Sequence, residues 1–283
     1  MTTTDHPARP GAARHPARRT EDPDDQAHGV LLLHGRPGSS LIWTRVRPLL
    51  HGYGLRVLPI DRPGYGNSTD PALDQFADAA AIARLLDERH ASPTVVVGHS
   101  LGAGVALALA ATAPRHVRAL VLVAPAAGPS AITPTDRALA APVLGPTLSW
   151  LGFRTAGLAL HLPTLRRRVL MGRIGLSATD ADHVVRRLTR GPVRCSFTVE
   201  QRRLVADARL LEGRLTDITC PVVIVAGTRD RIVRPRVVAA LVGQLPASKL
   251  MTTDSGHLVP VDDPDAVVTA VLHALRWQYR ESL

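Results

Sequence analysis

Short, almost continuous apolar runs alternate along this chain with longer segments in which apolar residues recur at helical spacing. Runs that are apolar throughout, instead of alternating with polar residues, predict strands whose two faces are both covered. The predicted strands span residues 30–34, 57–61, 94–98, 119–124, 221–226 and 249–253, and the predicted helices span 73–90, 101–113, 236–245 and 265–280. This alternation of strand and helix predicts an α/β fold with a doubly wound, mostly parallel sheet.

One long segment interrupts the alternation. Residues 126–216 contain several helical patterns and many prolines but no convincing strand. Because this segment leaves the carboxyl end of a predicted strand, at the sheet edge where such folds bind ligands, we expect it to form a helical cap. Residues 29–125 and 217–283 form the predicted core. Residues 1–28 are rich in Pro, Arg and Asp and have few large apolar side chains, so they are predicted to be a disordered tail.

The charge composition narrows the classes of function. Apolar residues make up 45% of the chain and charged residues 20%, which is the balance of a soluble globular protein. The net charge is +10, but Lys249 is the only lysine among 34 basic residues, and the arginines are scattered among acidic residues. Because polyanion-binding surfaces need clustered positive charge, we expect no nucleic-acid partner. The arginines of the predicted cap are interpreted as a solvated helix face, not as a site for anionic substrates or lipids.

Cysteine content and hydropathy argue against a disulfide-rich, zinc-stabilised or membrane-spanning protein. Cys195 and Cys220 are the only cysteines, so the chain has neither a disulfide framework nor a structural zinc site, which favours a reducing compartment. No run approaches the roughly 20 apolar residues of a membrane span. The amino-terminal residues also lack the apolar core of a signal peptide. We therefore expect a cytoplasmic protein without a membrane span.

The sequence G-H-S-L-G at residues 98–102 lies directly between a predicted strand and a predicted helix. A sharp turn in this position, called a nucleophile elbow, holds the central Ser100 in a strained conformation and needs small residues two positions away on each side. Gly98 and Gly102 meet this requirement. The start of the following helix also supplies free amide groups and a dipole that favour negative charge. We predict that Ser100 is a catalytic nucleophile.

A serine nucleophile needs a base to accept its proton and an acid to orient that base. His257 follows the last predicted strand in a flexible loop, whereas most of the other histidines fall in the tail or in predicted helices. His99 adjoins the serine but is expected to project away from it. Asp230 follows the preceding strand, so Ser100, Asp230 and His257 occur in the chain order typical of one triad-bearing fold. Asp61 precedes the serine and is assigned a structural role in its own loop.

Acyl transfer also needs hydrogen-bond donors for the oxyanion that forms during the reaction. The first predicted strand runs into H-G-R-P-G at residues 34–38. Because Pro37 has no N–H, we expect the backbone amide of Arg36 to be one donor and that of Leu101 to be the other. The predicted oxyanion hole is therefore built from main-chain groups of these two residues.

The motifs H-G-R-P-G, D-R-P-G-Y-G-N-S and G-H-S-L-G together resemble the α/β-hydrolase superfamily, and in particular its capped members with a serine nucleophile. The resemblance covers about residues 29–125 and 217–280 and does not extend to the predicted cap. Members of this superfamily usually begin with an antiparallel hairpin. In this chain the residues before the first predicted strand are polar, so that hairpin is expected to be missing or irregular.

The resemblance implies hydrolysis of an acyl bond. In the capped relatives that open epoxides or remove halide the nucleophile is Asp, so Ser100 argues against both reactions. We expect a serine hydrolase that cleaves a carboxylic ester, thioester or lactone, in which Ser100 attacks, His257 transfers protons and Asp230 holds the imidazolium. Neither a cofactor nor a metal ion is required. The same triad also serves C–C bond hydrolysis, cofactor-free perhydrolysis and acyl transfer to alcohols, and the fold also occurs in non-catalytic receptors, so these alternatives stay open.

The expected substrate is a small molecule with an apolar acyl group. The predicted cap carries apolar residues that can bury only part of their surface against one another, and some of them are expected to face the acyl pocket. These residues include Leu139, Val143, Leu144, Leu148, Trp150, Leu151 and Phe153.

Overall fold

A six-stranded sheet lies at the centre of the computed structural model, which describes residues 29–90, 93–189, 191–245 and 247–281. The strands are β1 (Gly29–Leu33), β2 (Arg56–Ile60), β3 (Thr94–His99), β4 (Val117–Val123), β5 (Val222–Gly227) and β6 (Ser248–Thr253). Their order across the sheet is β2-β1-β3-β4-β5-β6, and every neighbouring pair is parallel. The carboxyl ends of all six strands therefore meet at one edge of the sheet.

Helices connect the strands and cover the sheet. They are α1 (Val46–Gly52), α2 (Gln75–Glu88), α3 (Leu101–Thr112), α4 (Pro134–Ala140), α5 (Leu144–His161), α6 (Pro163–Arg166), α7 (Ala178–Thr189), α8 (Gly191–Glu212), α9 (Pro235–Val242), α10 (Val259–Asp262) and α11 (Pro264–Glu281). A π-helical stretch, Arg167–Ile174, follows α6, and short 3-10 turns lie at Ser40–Trp43, Pro114–His116, Pro129–Ala131 and Leu215–Asp217.

Side chains of β1 alternate between two apolar layers. Leu31 and Leu33 belong to the layer that packs against α2, α3 and α9, whereas Val30 and Leu32 belong to the layer that packs against α1 and α11. All four residues are buried. Because both faces of the sheet are covered, polar residues have no solvated position along the central strands, which explains the continuous apolar runs.

The predicted fold class, a doubly wound α/β sheet, is confirmed. All six predicted strands are present within two residues of their predicted ends, and the sheet is parallel throughout the described ranges. The predicted tail, residues 1–28, and with it the place where the hairpin was expected to be missing or irregular, lies outside those ranges. The hydrophobic pattern did not predict α1, because this helix has only seven residues and contains Pro48, which leaves too short a periodic pattern.

The helices α4 to α8 lie between β4 and β5, where the sequence analysis expected the cap. The described part of this segment contains no strand. It has an apolar cluster of its own, formed by Leu170, Leu176, Ala181 and Val185. The division of the chain into a separate core and cap stays a prediction. Among the described residues, no helix has both the length and the hydrophobicity that crossing a membrane would need.

The packing of α5 leaves most of the apolar residues that were candidates for the pocket wall exposed to solvent. The buried residues of α5 are small, namely Gly145, Ser149 and Gly157, because α5 approaches its neighbours closely. A Cβ atom on Gly145 would lie only 2.1 Å from the carbonyl oxygen of Leu139. Several large apolar residues point outward, whereas Phe153 is half-buried and its ring lies 5.5 Å from that of Phe197. Val143, Leu144, Leu148, Trp150 and Leu151 are between 39% and 83% exposed.

Candidate active site

Ser100 lies in the tight turn between β3 and α3. Its backbone has φ 53° and ψ −118°, which residues other than glycine rarely adopt. Its N–H donates to the carbonyl oxygen of Val123 on the neighbouring strand at 2.9 Å, which holds the strained turn in place. Ser100 is 8% exposed, so its hydroxyl group lies in a largely enclosed environment.

The glycines around Ser100 allow backbone segments to approach one another closely. A Cβ atom on Gly98 would lie 2.4 Å from the carbonyl oxygen of Gly102, and a Cβ atom on Gly102 would lie 2.5 Å from that of Leu33. A Cβ atom on Gly35 would lie 2.8 Å from Cβ of Ser100. The loop that follows β1 therefore runs directly beside the serine.

His257 and Asp230 approach Ser100 from the loops that follow β6 and β5. Nε2 of His257 lies 3.0 Å from Oγ of Ser100, and Nδ1 of His257 lies 2.8 Å from Oδ2 of Asp230. The two side chains are 11% and 1% exposed. The structure thus brings together three side chains that the sequence separates by up to 157 positions. Their contacts have the order that nucleophile, base and acid require.

The carboxylate of Asp230 is held by the main chain as well as by His257. Its Oδ1 accepts hydrogen bonds from the amides of Ile232 at 2.8 Å and Val233 at 2.9 Å. Burial opposes ionisation, but the hydrogen bonds from His257 and from these two amides outweigh it and lower the pKa of Asp230. The ionised carboxylate accepts the Nδ1 proton of a neutral His257 ring, which leaves Nε2 free to accept the proton of Ser100.

His99 has a supporting position that the sequence analysis did not identify. Its ring lies 5.0 Å from the ring of His257. Its Nε2 donates to the backbone carbonyl of His257 at 2.9 Å. Burial and the neighbouring His257 lower the pKa of His99 to about 3, so the ring stays neutral. His99 therefore positions the loop that carries His257.

His34 connects two loops at the carboxyl edge of the sheet. Its Nδ1 donates to the carbonyl oxygen of Gly35 at 2.6 Å, and its Nε2 accepts from the backbone amide of Arg62 at 3.0 Å. Burial, together with the positive charge of Arg62, lowers the pKa of His34 to about 3. A neutral His34 thus orders the loop that carries Arg36, the residue predicted to supply an oxyanion donor.

Arg62 is fully buried and connects the core to α8. Its Nη1 donates to Asp78 at 2.8 Å and to Glu200 at 2.6 Å, and the hydroxyl group of Tyr65 donates to Glu200 at 2.7 Å. Although burial opposes its charge, Glu200 and Asp78 raise the pKa of Arg62. Sequence reasoning missed this network, because Arg62 and Glu200 are 138 positions apart and charged residues in helical patterns usually face solvent.

Asp61 has the structural role that was assigned to it. Its carboxylate accepts from the amides of Ser40 at 2.7 Å and Asn67 at 2.8 Å. A Cβ atom on Gly66, whose φ is 51°, would lie 2.0 Å from Cγ of Asp61, so only glycine fits there. These contacts join the loop after β2 to the 3-10 turn that follows β1.

The two cysteines and the side chains that could ligate a metal are the remaining candidates for redox or metal chemistry. Cys195 and Cys220 are both free, and burial raises the pKa of Cys220 to about 11. Within the described ranges, no three His, Cys, Asp or Glu side chains are grouped in a way that could hold a metal ion.

A family model matches residues 30–270, and it is described as the alpha/beta hydrolase family. The chain is similar to the pimeloyl-[acyl-carrier protein] methyl ester esterase of Neisseria meningitidis serogroup A. The two are 30% identical over 239 residues, which cover 83% of this chain and 72% of the relative. Lipase 3 of a Moraxella species is 28% identical over 258 residues, which cover 82% of this chain and 72% of the lipase.

Among solved structures, wild-type Cfl2 from Burkholderia cenocepacia superimposes with a TM-score of 0.70. The two sequences are 27% identical, and the alignment covers 88% of each chain. The similarity therefore extends over the sheet and over most of the segment between β4 and β5.

Proposed function

This chain belongs to the alpha/beta hydrolase family, and we propose that it is a carboxylic ester hydrolase that acts through Ser100, His257 and Asp230. The observation that carries the proposal is the position of His257, whose two ring nitrogens lie 3.0 Å from the Ser100 hydroxyl oxygen and 2.8 Å from the Asp230 carboxylate. A base within hydrogen-bond reach of the nucleophile and of its own orienting acid is the arrangement that activates serine.

In the first half of the proposed reaction, Oγ of Ser100 attacks the carbonyl carbon of the ester while Nε2 of His257 accepts the hydroxyl proton. The resulting imidazolium is stabilised by the carboxylate of Asp230. When the tetrahedral intermediate collapses, His257 returns that proton to the departing alcohol. The acyl group then remains on Ser100 as an ester.

The oxyanion of the intermediate needs donors beside Ser100, and we assign this role to the backbone amides of Leu101 and Arg36. Leu101 is the first residue of α3, where an amide has no carbonyl one turn earlier to bond. Arg36 follows Gly35, which lies so close to Ser100 that no side chain fits between them. The helix dipole of α3 adds a positive partial charge at the same point.

In the second half, water attacks the acyl-enzyme and His257 acts again as base and then as acid, which releases the carboxylic acid and restores Ser100. The names of the relatives, an esterase and a lipase, support a carboxylic ester as the substrate class. No step of this mechanism needs a metal ion, so we expect treatment with EDTA to leave the rate unchanged.

The test is the variant Ser100→Ala, measured with short-chain esters and with a serine-reactive fluorophosphonate. We expect labelling to be lost and the turnover number to fall on the order of 10⁶-fold, as for other serine triads. Ser130→Ala is the matched control, because Ser130 is exposed in the 3-10 turn after β4, and it should keep both properties. Ester hydrolysis near the original rate in folded Ser100→Ala would exclude the proposed nucleophile. A native chain that neither reacts with the probe nor cleaves esters would indicate a binding protein.

A further inference from the structure

A cavity of about 250 Å³ lies between the loop after β1 and α7. Pro37 and Gly38, directly after Arg36, form one wall, and Leu258, directly after His257, forms another. The opposite wall comes from α7 and the π-helical stretch and is mostly apolar, with Leu170, Ile174 and Val184. Two walls thus adjoin residues of the proposed catalytic machinery. The volume lies just below the usual range for small-ligand sites, roughly 300–1,000 Å³, which suits a short or medium acyl chain.

Two polar side chains interrupt the apolar wall. His183 and Arg187 lie one turn apart on α7, and both form part of the cavity wall. Nε2 of His183 and Nε of Arg187 are withdrawn from solvent, and neither has a hydrogen-bond partner among the described residues. Burying such groups unpaired costs free energy, so an unpaired donor at a cavity wall needs an explanation.

Other arginines of the same segment have carboxylate partners. Arg166 pairs with Asp182, and Arg173 pairs with Asp262 through two hydrogen bonds of 3.0 and 2.9 Å. Within the described ranges Arg187 has no such partner. The expectation that the cap arginines form a solvated helix face is therefore wrong for Arg187, which is half-buried beside the cavity.

We propose that His183 and Arg187 recognise an acceptor at the far end of the substrate, so that the preferred esters carry an apolar stem ending in a carboxylate. The apolar wall takes the stem, and the guanidinium of Arg187 supplies the charge and the donors that a carboxylate needs. Nε2 of His183 adds a donor in the tautomer that carries its proton there. This inference rests on the proposed ester hydrolysis and adds to it the substrate class.

The experiment compares two six-carbon esters that differ only at the far end, monomethyl adipate and methyl hexanoate, by methanol release. The measured quantity is the ratio of kcat/KM for the half-ester to that for the apolar ester. Arg187→Met keeps the apolar stem of the side chain and removes the guanidinium. We expect this variant to lower the ratio at least about tenfold, because a hydrogen bond to a charged group is lost. Arg187→Lys should lower it less, since the charge remains.

Arg168→Met is the matched control, because Arg168 is exposed on the neighbouring π-helical stretch and lies outside the cavity wall. It should leave the ratio within about twofold of the original value. Both esters are assayed with the same preparation of each variant. Partial misfolding therefore lowers both rates alike and leaves the ratio unchanged.

If the native chain hydrolyses methyl hexanoate but not the half-ester, or if Arg187→Met leaves the ratio unchanged, the carboxylate subsite is wrong while the proposed ester hydrolysis stands. If the native chain hydrolyses neither ester and does not react with a fluorophosphonate, the proposed function fails and the subsite fails with it. If the ratio falls for Arg187→Met but not for Arg168→Met, the result supports both the carboxylate subsite and the proposed ester hydrolysis.

Discussion

At the level of single residues, the location of one proton on His257 decides whether Ser100 can be activated. Oδ2 of Asp230 accepts from Nδ1 at 2.8 Å, so the proton of the neutral ring lies on Nδ1 and the lone pair of Nε2 faces Ser100. The lowered pKa of Asp230 keeps this acceptor ionised down to acidic pH. In the proposed mechanism, Asp230 thus fixes the tautomer of His257 through this hydrogen bond.

Asp230→Asn tests this control. The amide oxygen of asparagine can still accept from the main-chain amides, while its NH2 group donates to Nδ1 of His257 and shifts the ring proton to Nε2. A base that is already protonated at Nε2 cannot accept the serine proton, and in serine triads this change lowers kcat on the order of 10⁴-fold. Steady-state kinetics with a soluble ester and circular dichroism of the folded variant measure the effect.

The control for this variant is Asp254→Asn, which changes a carboxylate that is 83% exposed and paired with Arg229 near the same edge of the sheet. It should change kcat by less than about twofold, since an exposed ion pair is worth little. If kcat falls equally in the two variants, the loss comes from the removal of negative charge near the site and not from the tautomer of His257.

Sequence reasoning singled out Ser100, Asp230 and His257 as the proposed triad, because each lies at the end of a predicted strand and the chain order limits the choices, and the structure places their side chains within hydrogen-bond distance. It did not find that His99 bonds the main chain of His257, because nothing in the sequence relates one histidine ring to a carbonyl group 158 positions later. A catalytic motif identifies the candidate reacting groups. The groups that position them depend on tertiary packing, which the sequence does not show directly.

At the level of elements, the junction of β3 and α3 determines the position of Ser100. The end of β3 touches the start of α3, and the start of α3 touches the end of β1, with no room for a side chain at either contact. Such contacts between backbone atoms cannot be relieved by rotating a side chain. The strain at φ 53° therefore persists because three rigid elements hold the turn.

Gly98→Ala should consequently disturb both folding and activity. The added Cβ would lie 2.4 Å from the carbonyl oxygen of Gly102 and 2.6 Å from Cα of Ala103, so α3 must move away from β3. We expect the free energy of unfolding to fall on the order of 3 kcal/mol, as for an overpacked core. Urea denaturation measures the loss of stability. Kinetics on the remaining folded protein should show a lower kcat, because Ser100 moves relative to His257.

The same substitution in α5 provides the comparison. A Cβ atom on Gly152 would have no atom within 4 Å, so Gly152→Ala should instead raise the free energy of unfolding by about 0.5–1 kcal/mol through helix propensity. A Gly98→Ala variant as stable and active as Gly152→Ala would contradict the rigid-junction argument.

The elements themselves differ in how well the sequence predicts them. The strands could be predicted, because burial on both faces leaves a continuous apolar run that few other structures share. The orientation of α5 could not. Most of its large apolar residues are exposed, whereas its buried residues Gly145, Ser149 and Gly157 are small, and Gly145 packs directly against the backbone of Leu139. Periodicity identifies a helix but does not decide between two faces that can both pack.

At the level of the whole molecule, a buried ionic network connects α8 to the core beneath the candidate active site. Arg62 from the loop after β2 shares its guanidinium between Asp78 of α2 and Glu200 of α8, and all three residues are almost fully buried. Breaking such a network by removing one partner leaves an unpaired buried charge, which is strongly destabilising. The position of the helices between β4 and β5 thus depends on charges that are far apart in the sequence.

The network carries more negative charge than Arg62 alone neutralises, and Asp78 shows the consequence. Burial and the negative charge of Glu200 raise the pKa of Asp78 from 3.8 to about 6, although Arg62 acts in the opposite direction. A raised pKa means that the folded chain binds the proton more tightly than the unfolded chain does. Ionisation of Asp78 therefore lowers the free energy of unfolding as the pH rises from about 4 to about 6.

Asp78→Asn removes this titration while its amide oxygen can still accept from Arg62. The free energy of unfolding of the variant minus that of the native chain should rise between pH 4 and pH 6.5 by up to about 3 kcal/mol, because one pKa unit corresponds to about 1.4 kcal/mol. Urea denaturation at several pH values gives this difference. Glu88→Gln is the matched control on the same helix: Glu88 is exposed at the end of α2, so its difference should stay within about 1 kcal/mol. If the free energy of unfolding of Asp78→Asn minus that of the native chain does not change with pH, the pKa of Asp78 is not raised in the folded chain. Arg62 then fully compensates the burial of both carboxylates.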